Sequence, residues 1–172
     1  MKKNLLIGVF ALLGFAANAQ TKGNFKLGTH IGVPTGNLAD VATFNIGVDM
    51  AYLFNIDTNF KAGFTTGYSH YFVKSITRNF LGRQITLRPD DIGIIPVAAT
   101  AKYNFESNVF IGADLGYAFF VVGQDGTTGA FYFQPKLGYQ SKNNEFYISY
   151  KGMSKEGTTI GSVNLGYAYI FK

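Results

Sequence analysis

From residue 163 the sequence reads Val163-Asn164-Leu165-Gly166-Tyr167-Ala168-Tyr169-Ile170-Phe171-Lys172, with an apolar or aromatic side chain at every second position through Phe171. A period of two belongs to a β-strand, because successive side chains leave a strand on opposite faces. A stripe of this kind running to the last residues implies a chain that finishes inside a sheet, with its final strand as a closing element. That one feature turns the reading away from helical folds and towards an all-β architecture.

The same alternation recurs at 25–33, 44–54, 60–72, 95–105, 109–121, 131–140, 146–151 and 161–171, which predicts eight strands. All but the seventh have lengths suited to tilted membrane-crossing strands of roughly 9–11 residues. Their connections alternate: 55–59, 106–108 and 141–145 are tight and polar, whereas 34–43, 73–94, 122–130 and 152–160 are longer. Short turns at one rim and long ones at the other describe an antiparallel up-and-down barrel.

The composition of the two faces decides what surrounds that barrel. Phe44, Ile46, Val48, Met50, Tyr52 and Phe54 oppose Asn45, Gly47, Asp49, Ala51 and Leu53. Likewise Val109, Ile111, Ala113, Leu115, Tyr117 and Phe119 oppose Gly112, Asp114, Gly116 and Ala118. In a soluble barrel the second stripe would meet water, yet it carries too few charges for a solvated exterior. Aromatic residues gather at two levels, Phe54, Phe60, Tyr103, Phe105, Phe146, Tyr169 and Phe171 at one and Phe44, Tyr68, Tyr117, Phe119, Phe131 and Phe133 at the other, as interfacial girdles do. The apolar stripes therefore face lipid.

At the other terminus, Lys2 and Lys3 precede an uncharged apolar run at 5–17 and the small-x-small site Ala17-Asn18-Ala19, the pattern of a cleaved export signal. The run is too short to cross a bilayer, which takes roughly 20 residues. The expected division is a signal peptide at 1–19 and a barrel domain at 20–172. Gln20 stands where a lipoprotein would need cysteine. Without Lys2 and Lys3, the 15 basic and 10 acidic residues fall from a net of +5 to +3, scattered rather than clustered, which argues against a nucleic-acid partner. There is no cysteine, so no disulfide reinforces the fold. Export plus lipid-facing strands places the barrel in a Gram-negative outer membrane, reached through the periplasm.

In these features the sequence resembles the family of small eight-stranded outer-membrane β-barrels, the group that includes OmpX, the membrane domain of OmpA and porin-like barrel domains. The resemblance spans residues 20–172. Its most specific part is Val163, Leu165, Tyr167, Tyr169 and Phe171, similar to the C-terminal signal that such proteins present to the barrel-assembly machinery. The family usually ends on the aromatic residue, and here Lys172 follows it. The resemblance implies outer-membrane lipid and that machinery as partners, and it implies no cofactor.

Chemistry is sparse. His30 falls on the inward stripe, and a first hairpin centred near Ala39 and Asp40 brings it close to Asp49. A histidine beside a carboxylate can act as a general base, but no convincing serine or metal ligand accompanies the pair, so no catalytic or metal-binding residue is assigned. The inward register also collects Lys61, Lys102, Lys136 and Lys151 with Asp114. Counting from the turns puts Asp114 beside Lys136 and diagonal to Lys102, with Lys136 near Lys151. Buried charges persist when paired, so these residues form either a salt-bridged plug or a gate. Inward glycines at 28, 32, 47, 63, 67, 112, 116, 138 and 166 relieve crowding or leave a cavity. His70 is expected at the interface. The longest connection carries Lys74, Arg78, Arg83 and Arg88, suited to anionic lipid or a partner protein that the sequence does not identify. The function read from these features is a non-enzymatic integral outer-membrane protein with a structural or loop-mediated interaction role, the alternative being a narrow porin-like channel or carrier for small solutes.

Overall fold

The computed structural model describes residues 23–80, 83–87, 89–122 and 128–171. Ten strands follow in chain order: β1 Gly23–Thr35, β2 Ala42–Asn55, β3 Phe60–Val73, β4 Ile76–Phe80, β5 Arg83–Leu87, β6 Ile92–Asn104, β7 Val109–Val122, β8 Thr128–Ser141, β9 Asn144–Lys155 and β10 Thr158–Phe171. One short helix, α1 Asn37–Val41, lies between β1 and β2. Eight of the strands close into an antiparallel barrel in the order β1, β10, β9, β8, β7, β6, β3, β2, while β4 and β5 pair only with each other. The C-terminal stripe closes the ring: β10 runs against β1 from Phe171 opposite Phe25 to Gly161 opposite Thr35.

Closure removes free sheet edges, and the alternation then separates inside from outside. Outward positions such as Ile31, Leu115, Leu137 and Leu165 stand more than half exposed, Leu165 at 63%. An apolar wall of that extent is at home in hydrocarbon and would aggregate in water. Aromatic pairs bound the wall at both rims. Phe25 contacts Phe171 at 5.7 Å near the termini, and Phe44 stacks on Phe72 at 4.3 Å at the opposite rim. Among the described residues no helix is long and apolar enough to cross a membrane; the strands do so.

The connections depart from expectation at the rim away from the termini. The stretch 152–160 is not a long loop, because β9 continues to Lys155 and β10 starts at Thr158. Glu156 and Gly157 make the turn alone, both at positive φ (50° and 81°), the backbone of a two-residue hairpin. Gly152 opposite Gly161 had blanked the alternation there, which also made the seventh strand look short. The 73–94 connection contains the β4–β5 hairpin, and 34–43 contains α1. The expected signal peptide lies outside the described residues, as do Arg88, Lys172 and the tip of the 122–130 connection.

Candidate functional site

Among the described residues, polar side chains converge in the interior. Eight strands leave a bore just wide enough for side chains to fill, and each inward position contributes one.

Nearest the termini, Glu145 is fully buried and receives two ammonium groups, Lys26 at 3.0 Å and Lys102. Lys102 also donates to Gln140 Oε1 at 2.6 Å and lies 4.1 Å from the centre of the Phe110 ring. Lys102 is diagonal to Asp114, as counting from the turns places it, yet its ion pair is with Glu145. Lys102 is opposite Gly112 and its side chain turns toward the termini, where Glu145 awaits it. Glu145 escaped the sequence reading because it looked like part of the 141–145 turn, whereas β9 already begins at Asn144.

One layer further in, Lys136 Nζ stands 2.5 Å from Asp114 Oδ2. The two residues are diagonal neighbours, since Asp114 is directly opposite Gln134 and Lys136 opposite Gly112. No other group among the described residues donates to either oxygen of Asp114, so its charge rests on Lys136 alone.

The next layer joins four strands. His30 Nδ1 is 2.7 Å from Asp49 Oδ2, and Asp49 also accepts from Lys151 Nζ at 3.1 Å and from the Tyr147 hydroxyl at 3.0 Å. On the far side of the ring, His30 Nε2 is 3.1 Å from Ser69 Oγ. Ser69 lies on β3, two strands from His30, and the side-chain-free Gly47 of β2 stands between them on the same rung, so the hydroxyl and the ring meet across it. The order carboxylate, imidazole, hydroxyl matches that of hydrolytic triads. Its setting differs: His30 and Ser69 are buried, and Lys151 Nζ also crowds His30 Nε2 at 3.1 Å and Ser69 Oγ at 3.2 Å.

Glycine makes this density possible. A Cβ at Gly47 would run into the His30 ring, and one at Gly166 into the Tyr147 ring. At Gly47, Gly138 and Gly166 the space a side chain would take is occupied by a neighbouring ring.

Toward the opposite rim the lining changes character. Tyr71, Ile94, Ala98, Ala118, Ala130, Tyr132 and Met153 form an apolar layer, and Leu38 of α1 packs onto it from above. Lys74 ties the helix down, its Nζ donating to Ala39 O at 2.6 Å. Of the other basic residues in that connection, Arg78 lies on β4 opposite Ile85, and Arg83 lies on β5 opposite Phe80. His70 sits on the outer wall as expected. It bridges the Tyr68 hydroxyl and Asp91 Oδ2, both at 3.0 Å, while Asp91 Oδ1 accepts from the Val73 backbone at 2.9 Å. Among the described residues no group of histidine and acidic side chains is arranged to hold a metal ion.

No family model matches the chain, and no curated protein matches it in sequence. Solved structures do match in fold. The attachment invasion locus protein Ail of Yersinia pestis aligns at 15% identity with a TM-score of 0.57, over 88% of this chain and 99% of Ail. A designed transmembrane β-barrel aligns at 14% identity with a TM-score of 0.53, over 89% of this chain and 99% of the design. The chain thus has the architecture of the small eight-stranded outer-membrane barrels.

Proposed function

We propose that this protein is a non-enzymatic integral protein of the Gram-negative outer membrane, whose filled barrel serves as a rigid membrane anchor and whose structural or interaction role is carried at the rim bearing α1 and β4–β5. The observation that carries this reading is the filling of the bore. Ion-paired layers at Glu145, Asp114 and Asp49 are followed by the buried layer of Tyr71, Ile94, Tyr132 and Met153 beneath Leu38. A path for solute would have to break several buried ion pairs, each costly to separate. The buried Asp49–His30–Ser69 chain supports a structural role for those groups, since a reacting hydroxyl needs a substrate within hydrogen-bond reach.

The rival reading is a narrow channel. Four interior lysines, at 26, 102, 136 and 151, against the carboxylates of Asp49, Asp114 and Glu145 would favour anions in such a pore. Planar-bilayer recording of the refolded protein separates the two: the plug gives no steady conductance steps, and reproducible anion-selective steps from wild type would overturn it. The basic stretch of Lys74, Arg78 and Arg83 fits an acidic partner at that rim. The stripe Val163, Leu165, Tyr167, Tyr169 and Phe171 fits recognition by the barrel-assembly machinery after removal of residues 1–19. Tyr169→Ala with Phe171→Ala should then lower the yield of heat-modifiable barrel in cells far more than Lys172→Ala, and equal yields would remove the assembly role.

A further inference from the structure

The barrel wall is least continuous beside two prolines. Between β8 and β9 the pairing runs to Phe133 opposite Gly152 and resumes at Lys136 opposite Ser149, in unchanged register. The rungs between them, Gln134 and Pro135 against Tyr150 and Lys151, are missing. Between β3 and β6 it stops at Thr66 opposite Val97 and resumes at Ser69 opposite Ile94, around Pro96. Proline has no N–H to donate, so the strand facing it loses a partner, and in a closed barrel there is no edge to which proline can be relegated. By contrast, β7 pairs with β8 without interruption from Val109 opposite Tyr139 to Phe120 opposite Thr128.

The β8–β9 gap coincides with a dent in the outer wall. A concavity of about 310 Å³ is lined by Pro135, Leu137, Ile148, Tyr150 and Val163, and it reaches Lys136 and Ser149 between the strands. Pro135 lies midway along β8, with the Phe131–Phe133 aromatic pair toward one rim and Tyr139 toward the other. At that depth the surroundings are hydrocarbon. A second apolar groove, of about 460 Å³, borders Thr66 and Val97, the last rung before the Pro96 gap. There the Thr66 hydroxyl takes up the free Pro96 carbonyl at 2.8 Å.

We propose that the β8–β9 seam at Pro135 is a binding slot for one lipid acyl chain, held where the proline interrupts the hydrogen-bonded ladder. The gap supplies the recess, the lining supplies apolar contact, and the depth supplies the chain. The slot stands on the membrane-spanning fold and holds whether the bore is a plug or a channel.

The probe is phosphatidylcholine carrying a photoactivatable diazirine midway along one acyl chain, present in trace amount in phosphatidylcholine/phosphatidylglycerol vesicles that hold the refolded full barrel. Adducts mapped by mass spectrometry should be enriched several-fold at Leu137, Ile148 and Val163 over Ile46 and Val48. Those two are comparably exposed outward residues on the continuous β1–β2 wall, away from the seam. Pro135→Val, which restores the donor, should bring the seam down to the level of the belt. Val163→Trp, which fills the recess without touching the ladder, should do the same while the heat-modifiable band shows a folded barrel. Even labelling around wild type would overturn the slot. Enrichment that survives in both variants would overturn it equally.

Discussion

The two halves of the bore are filled by opposite means. Toward the termini the filling is electrostatic, with Glu145 held between Lys26 and Lys102, Asp114 against Lys136, and Asp49 among His30, Tyr147 and Lys151. Toward the other rim it is uncharged and mainly apolar, with Tyr71, Ile94, Tyr132 and Met153 under Leu38 and the buried side chains of Asn45, Ser162 and Asn164 among them. The difference teaches where each kind of contact is fragile. An apolar layer loses stability in proportion to the atoms removed, whereas an ion pair that loses one member leaves a buried charge with nothing to answer it.

The largest effect should come from Glu145→Ala, which strands two ammonium groups at once. A loss at or above the top of the range of about 3–5 kcal/mol for one broken buried pair is expected in urea unfolding from vesicles. A loss under about 1 kcal/mol would mean that water reaches these lysines and that the terminal half is not a dry electrostatic plug.

Next comes Asp114→Ala, at about 3–5 kcal/mol, with much of that recovered in the double variant with Lys136→Met, since removing both charges leaves no orphan. The coupling in that cycle measures the pair directly. Additive losses would show that Lys136 has another anchor and would weaken the contrast between the halves.

Leu38→Ala probes the apolar half and should cost about 2 kcal/mol, the low end for a buried leucine, because a five-residue helix can settle into the space. A loss as large as that of Glu145→Ala would erase the distinction drawn here.

The smallest effect belongs to the solvent-facing rim, where a third kind of contact operates. Asp91 is held below the usual carboxylate range, chiefly by the Val73 backbone N–H and then by the His70 hydrogen bond. A carboxyl depressed in the folded state contributes fully above its unfolded pKa, and that contribution fades as pH falls through the lower folded value. Protection of the Val73 amide from hydrogen exchange, corrected for intrinsic rates, should therefore hold from neutral pH into mild acid and drop only below the ordinary carboxylate range. Asp91→Ala should lower it throughout, and an unchanged profile would show that the clamp does not hold the base of the β4–β5 hairpin.

The strand pattern, the lipid-facing register, the eight-strand count and the inward placing of His30, Asp49, Lys102, Asp114, Lys136 and Lys151 were legible because a period of two is a local property. Any ten-residue window shows which side chains share a face. The Lys136–Asp114 proximity was also within reach, since counting outward from the short turns 106–108 and 141–145, which lie at one rim, puts the two residues at a similar height on adjacent strands. The 152–160 turn was obscured where Gly152 and Gly161 carry no side chain to mark a face. What only the tertiary structure decided is which inward residues meet around the ring. Glu145 joins Lys26 and Lys102 across 119 and 43 residues of chain. The physical reason is that alternation specifies the face of each strand but not its height against a distant neighbour. That height is set by the stagger at which eight tilted strands close, a property of the whole ring.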